Sequence, residues 1–262
     1  MRHFADSDGF VWWWSKDLSG SQLKKGKPEV VFRRRDLNAR VLDDGTLDQE
    51  AEREMQVFDD NIAPVVDKLI SQGRNERPPS LTPNEKELVN HFMYVQFKRS
   101  PEWRTENMER DVYRDLTGGD LPKNVPPKIR ASSDASVSSK ARRILQNDFA
   151  ESLPLEDKEV ARVLREKGLL LCRAPQNTAL VLGTTGVVSA GAAAGSLREA
   201  HRGLAIPLAS DIFLYVGKSK DNREYRTLSA EQVQSINRQV AKHSYGIAGR
   251  SSELLRCTLF SR

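Results

Sequence analysis

The sequence predicts an α+β fold, with an N-terminal β-ribbon, long central helices and then a mostly antiparallel sheet. Three observations predict it. β-branched and aromatic runs occupy Phe10–Ser15 and Glu29–Arg34, apolar residues recur every three or four positions from Leu47 to Leu69, and short apolar runs broken by Pro, Gly and Asn begin at Leu169. Helices in the middle with strands on either side argue against the alternation of an α/β sheet. At 262 residues the chain reads as a single α+β domain over 1–262. Its expected segments are a β-ribbon over 1–40, long helices over 45–120, a linker or lid over 121–139, short helices over 140–168, and strands plus a helix over 169–262.

In the ribbon, the two runs flank a Gly/Ser/Lys-rich stretch that is expected to be a mobile connection. Trp12, Trp13 and Trp14 cannot share one face of a strand, so at least one turns away from the ribbon's core side. Ala51, Met55, Phe58, Ile62, Val66 and Leu69 make one face of the first helix, where Pro64 predicts a kink and Gly73 the end. Thr82, Pro83 and Glu85 spell a capping box with proline at the first position, opening a second helix that buries Leu88, Phe92 and Val95. Helical pattern continues past Ser100-Pro101 to about Leu116, and Pro122, Pro126 and Pro127 among serines then mark the linker. Short helices are expected near Lys140–Ala150 and Leu155–Lys167, the second stopped by Gly168. Strands follow at Leu169–Arg173, Ala179–Leu182, Leu204–Leu208 and Ile212–Val216, and Ser229 with Gln232 caps a helix to about His243.

Lys and Arg number 41 against 36 Asp and Glu, a net +5 that favours anionic partners over cationic ones. The balance is uneven, since residues 41–70 alone carry −7. Cys172 and Cys257 lack metal or redox spacing and read as reduced thiols. Met1 is followed by polar residues with no apolar signal core, and no run is long enough to span a bilayer, so a cytoplasmic protein with no membrane partner is expected. His3, His91, His201 and His243 are scattered, so no metal is expected. Gly183–Gly195 lacks the Lys-Ser/Thr of a phosphate-binding loop, Ser189 lacks the glycine of a nucleophile elbow, and no cofactor is expected.

Two constellations remain. Gln96 and Arg99 share a helical ridge, and with Arg104 they offer an amide and two guanidiniums to an anionic group such as a phosphate. The alternative is that an arginine pairs with the acidic first helix at Asp59 or Asp60. Arg33, Arg34 and Arg35, with Lys24, Lys25 and Lys27, place cations beside the tryptophan strand, a combination suited to single-stranded nucleic acid or to a solvated, edge-protecting ribbon.

Several short motifs resemble the bacterial family catalogued as domain of unknown function 4238. Phe4-Ala5, Gly9 and Val11–Trp14 are similar to its opening, and Ala63-Pro64, Leu81-Thr82-Pro83, Gln96, Arg99-Ser100-Pro101 and Arg104 to its central helices. Leu180–Val188, Ile206-Pro207-Leu208 and Asp211 resemble its closing strands. Two departures stand out. Met1-Arg2-His3 stand where family members lead up to Phe-Ala, which suggests a miscalled or truncated start. Gly183-Thr184-Thr185-Gly186 replaces an acidic turn, and Thr184 cannot serve as the base or metal ligand that an Asp there would supply. The resemblance implies a fold and candidate positions without a reaction.

Three functional readings follow. The leading one is a binding protein for a phosphate-bearing partner, nucleic acid above all, with a degenerate site. The second is a hydrolase of a phosphate ester, with Asp59 or Asp60, Gln96, Arg99 and Arg104 near Thr184 and Thr185. The third is a protein-interaction module anchored by the tryptophans.

Overall fold

The computed structural model describes residues 2–16, 18, 22–31, 40–100, 143–144, 146–148, 150, 158–189, 203–217 and 223–260. A 3-10 turn at Arg2–Phe4 buries Phe4 and leads into β1 (Val11–Ser15), which pairs antiparallel with β2 (Lys24–Gly26). Trp12 stands opposite Lys25 and Trp13 opposite Lys24. The ribbon's second strand thus comes from the expected connection. Residues 28–30 turn instead, closed by Val30 N–H donating to the Lys27 carbonyl at 3.1 Å, because Pro28 fixes φ and has no N–H for a ladder. The rest of that run, including Arg33, Arg34 and Arg35, lies outside the described residues.

A small hairpin of β3 (Arg40–Val41) and β4 (Leu47–Asp48) turns at Gly45, whose φ of 83° favours glycine. It precedes α1 (Glu50–Arg74), which contains Pro64 and buries Ala51, Met55, Ile62, Val65, Leu69 and Ile70. Gly73 does not end this helix. It lies within the last turn because Ile212 comes so close that a Cβ there would be 2.8 Å from the isoleucine Cδ1. The capping box at Thr82 forms as expected: the Thr82 hydroxyl accepts from Glu85 N at 3.2 Å, and the Glu85 carboxylate accepts from Thr82 N at 2.7 Å. It opens α2 (Pro83–Lys98), whose buried side is Val89, Met93, Tyr94, Val95 and Phe97, while Leu88 and Phe92 are half-buried. The buried stripe is shifted because α2 packs between α1 and α3 (Lys158–Arg165), not against α1 alone.

Residues 143, 144, 146–148 and 150 are helical, and Asn147 holds Val41 through both its amide groups. The expected helical continuation over 101–116 and the linker over 121–139 lie outside the described residues. Gly168 is not a cap; it is the first residue of β5 (Gly168–Arg173). Next come β6 (Leu182–Gly183), β7 (Val188–Ser189), β8 (Leu204–Pro207), β9 (Ile212–Gly217) and β10 (Arg223–Thr227). Ser229 and Gln232 cap α4 (Ala230–His243), which is followed by β11 (Gly246–Gly249) and α5 (Ser252–Phe260).

The strands form two main sheets. One has the order β2-β1-β11-β6 and the other β10-β5-β9-β8-β7. Every pairing is antiparallel except β10 on β5, so the α+β class and the mostly antiparallel sheet hold. Of the expected strand Ala179–Leu182 only Leu182 joins a ladder. The Ala179 carbonyl and Val181 N–H bond instead to the side chain of Asn237, at 2.8 and 3.0 Å.

The largest core cluster lies between α1, α2, α3 and the second sheet, around Leu69, Met93, Leu164, Leu171 and Leu214. Burying each such side chain contributes about 1.5–3 kcal/mol. Arg74 fixes the end of α1 onto this sheet, its Nε and Nη2 donating to the two Asp211 oxygens at 2.8 and 2.9 Å. A second cluster joins Phe4, Val11, Leu180, Phe213, Val233 and Ala248, and a third joins Val181, Val240, Ile247 and Leu255 with Trp12 and Trp14 beside them. Among the described residues, no helix is long and apolar enough to cross a membrane.

Candidate functional site

Arg99 caps the C-terminus of α2, and its Nη1 reaches both oxygens of Asp59, at 3.0 and 3.1 Å. The ion-pair alternative therefore describes Arg99: its charge is matched by α1. Asp60, the next residue, is exposed. Arg104 lies outside the described residues.

One helical turn before Arg99, Gln96 meets the Gly183–Gly186 turn. A Cβ built on Gly186 would be 3.5 Å from Gln96 Cβ, and the φ of 61° at Gly186 favours glycine there. The turn closes through Gly186 N–H donating to the Gly183 carbonyl at 3.0 Å. Thr184 N–H donates to the Gly246 carbonyl at 3.0 Å, while its hydroxyl oxygen accepts from Tyr245 N at 2.9 Å and Gly246 N at 3.2 Å. Thr185 is buried with its hydroxyl 3.5 Å from that of Ser244, and a Cβ on Gly183 would collide with the same Ser244 hydroxyl. The structure thus brings Gln96, Thr184 and Thr185 into one neighbourhood, with the Arg99–Asp59 pair a turn further along α2. Thr184 acts there as a clasp from the turn to the start of β11.

The β1–β2 ribbon is the other assembled feature. Lys24 Nζ sits 5.7 Å from the centre of the Trp13 ring, and Lys25 Nζ lies 5.0 Å from Phe10 and 6.0 Å from Trp12. Lys25 also pairs with Asp6 at 3.0 Å. The Asp6 carboxyl is held below its ordinary range, first by the Phe10 N–H and then by Lys25. Lys24 forms no ion pair among the described residues. Trp12, Trp13 and Trp14 are each half-buried, so part of each indole stays at the surface. β2 is the edge strand of its sheet and Lys27 beyond it is exposed. At the end of α4, burial lowers the His243 pKa and the charges of Lys242 and Lys16 lower it further.

Other titratable groups have structural surroundings. His3 Nε2 is 3.0 Å from one Asp67 oxygen and Arg2 Nη2 is 2.6 Å from the other; burial lowers the His3 pKa against the pull of Asp67. His91 stands edge-on to Phe58 with ring centres 4.9 Å apart. Burial pushes the Cys172 thiol up to about 11, in keeping with a small core residue. No group of three or more His, Cys, Asp or Glu among the described residues could hold a metal ion.

The sequence reading missed Asn237, which substitutes for a strand partner at Ala179 and Val181. Its signal was available: an amide on the apolar face of α4, between Val233 and Val240, has to find partners when buried.

Together these features define an α+β protein with a cation-bearing aromatic ribbon and a glycine turn clasped to β11 beside α2. The chain belongs to the family described as protein of unknown function (DUF4238), which matches it over residues 1–252. No curated protein and no solved structure matches the chain.

Proposed function

We propose that the protein binds a phosphate-bearing partner, single-stranded nucleic acid, along the β1–β2 edge. The observation behind this reading is the placement of Lys24, which forms no ion pair among the described residues, over Trp13 on an edge strand, with Lys25, held by Asp6, beside it over Trp12 and Phe10. Ammonium groups neutralise phosphates while neighbouring ring surface accepts bases by stacking. Arg33, Arg34 and Arg35 follow shortly in sequence and add three positive charges to that stretch of the chain. A hydrolase built from Asp59, Asp60, Gln96, Arg99 and Arg104 around the turn ranks lower, since Asp59 neutralises Arg99 and the Thr184 hydroxyl accepts two backbone N–H groups.

Filter binding of single-stranded DNA and RNA across a salt series tests the reading. Affinity should fall with salt at a slope of about −0.7 per phosphate contacted, and the Lys24→Ala variant should reduce that slope by about 0.7. Absence of binding at low salt overturns it.

A further inference from the structure

A recess lies between α4, α5 and the residues 177–179. It is a half-open cavity of about 390 Å³, a size that accepts a small organic molecule. Its wall carries two guanidiniums, those of Arg238 on α4 and Arg250 just before α5. Arg250 spends one N–H group on the Thr178 carbonyl at 3.2 Å, which aligns it along the wall. Among the described residues neither arginine forms an ion pair, although Glu253 lines the same cavity. Two guanidiniums that line one concavity without an ion pair offer N–H groups that a doubly charged oxyanion can accept in pairs.

The rest of the lining narrows the ligand class. Ala179, Ala230, Val233 and Leu254 give an apolar side, and Asn177 and Gln234 add neutral polar groups. At the back wall Asn237 ties α4 to the Ala179 carbonyl and Val181 N–H. We propose that this cavity binds a small organic phosphate monoester, with its phosphate between Arg238 and Arg250 and its uncharged body against Val233 and Leu254. The site shares none of these residues with the ribbon edge proposed for nucleic acid.

Cys257 supplies the test. It lines the cavity as an exposed free thiol, whereas Cys172 is buried with its thiol raised to about 11, so a neutral maleimide reports on Cys257. Phenyl phosphate should slow modification of the intact protein, followed by mass spectrometry, and phenol at the same concentration should not. Arg238→Ala, which leaves the Arg250–Thr178 bond in place, should raise the concentration needed for half-protection roughly tenfold. Arg238→Ala/Arg250→Ala, confirmed folded by its thermal transition, should abolish protection. The proposal is overturned if phenyl phosphate leaves the rate unchanged, if phenol protects equally, or if the double variant is still protected.

Discussion

Arg99 at the end of α2 and Asp59 in the middle of α1 hold each other through one guanidinium nitrogen and two carboxylate oxygens. The pair decides between two roles for Arg99. A guanidinium matched in this way joins helices, and an incoming anion would have to displace a carboxylate already in place.

A double-mutant cycle on this pair should therefore give a coupling. Asp59→Ala, Arg99→Ala and the double variant, compared by urea denaturation, should show an interaction of about 0.5–1 kcal/mol, the range of a partly exposed pair. Additive single effects would mean that the two side chains do not stabilise the helix contact.

Gly73→Ala tests the close approach of α1 to β9. The added Cβ would meet Ile212 Cδ1 at 2.8 Å and Cγ2 at 3.3 Å, so the buried Ile212 side chain, the helix or the strand has to shift. We expect a loss of about 1–3 kcal/mol, the usual cost of an overpacked core. Ile212→Val removes that Cδ1, and the combined variant should recover part of the loss in the same denaturation measurement.

The role of Thr184 separates through its hydroxyl. Thr184→Val keeps the shape but leaves Tyr245 N and Gly246 N without their acceptor, at a cost of about 1–3 kcal/mol, whereas Thr184→Ser retains it and should stay near the parent. A valine variant as stable as the parent, measured by thermal and urea unfolding, would remove the clasp from the account.

The Arg74–Asp211 contact predicts a pH dependence. Burial pushes the Asp211 carboxyl up, but the hydrogen bonds and charge of Arg74, with a contribution from Arg173, bring the net shift below the ordinary value. A lowered folded-state pKa gives stability that is fully present above the unfolded value, about 3.9, and is lost as pH falls through the folded one. Asp211→Asn should therefore be less stable than the parent at pH 7 by about 1 kcal/mol. The gap should close below about pH 4. Denaturation curves from pH 7 to pH 2 check this.

Local signals were the legible part of the fold. The boxes at Thr82 and Ser229 lie within four residues of the helices they start, and the spacing of Met55, Ile62 and Leu69 needs no distant partner to be read. Pairings set by tertiary contact were not legible. Nothing near Val11–Ser15 announces Gly246–Gly249 as its neighbour, and Arg223–Thr227 looks like a charged loop because β10 is an edge strand with one ladder. Gly73 and Gly168 were misread for the same reason: glycine marks a helix end in sequence, yet here one admits Ile212 and the other opens a strand. At the site, the acidic helix and Arg99 suggested their pairing, whereas Gln96 beside Gly186 and the recess beside α5 depend on contacts that sequence spacing does not encode.

The register of β1 also sets an order of assembly. Trp13 faces Lys24 on one side and Ala248 on the other. During synthesis the first partner leaves the ribosome almost at once, while the second waits for nearly the whole chain. Until the strand at Gly246–Gly249 arrives, the three tryptophans have only β2 to pair with, and a two-stranded hairpin is marginal by itself in water. For a nascent chain, that interval is when the aromatic segment is most open to chaperones and to aggregation.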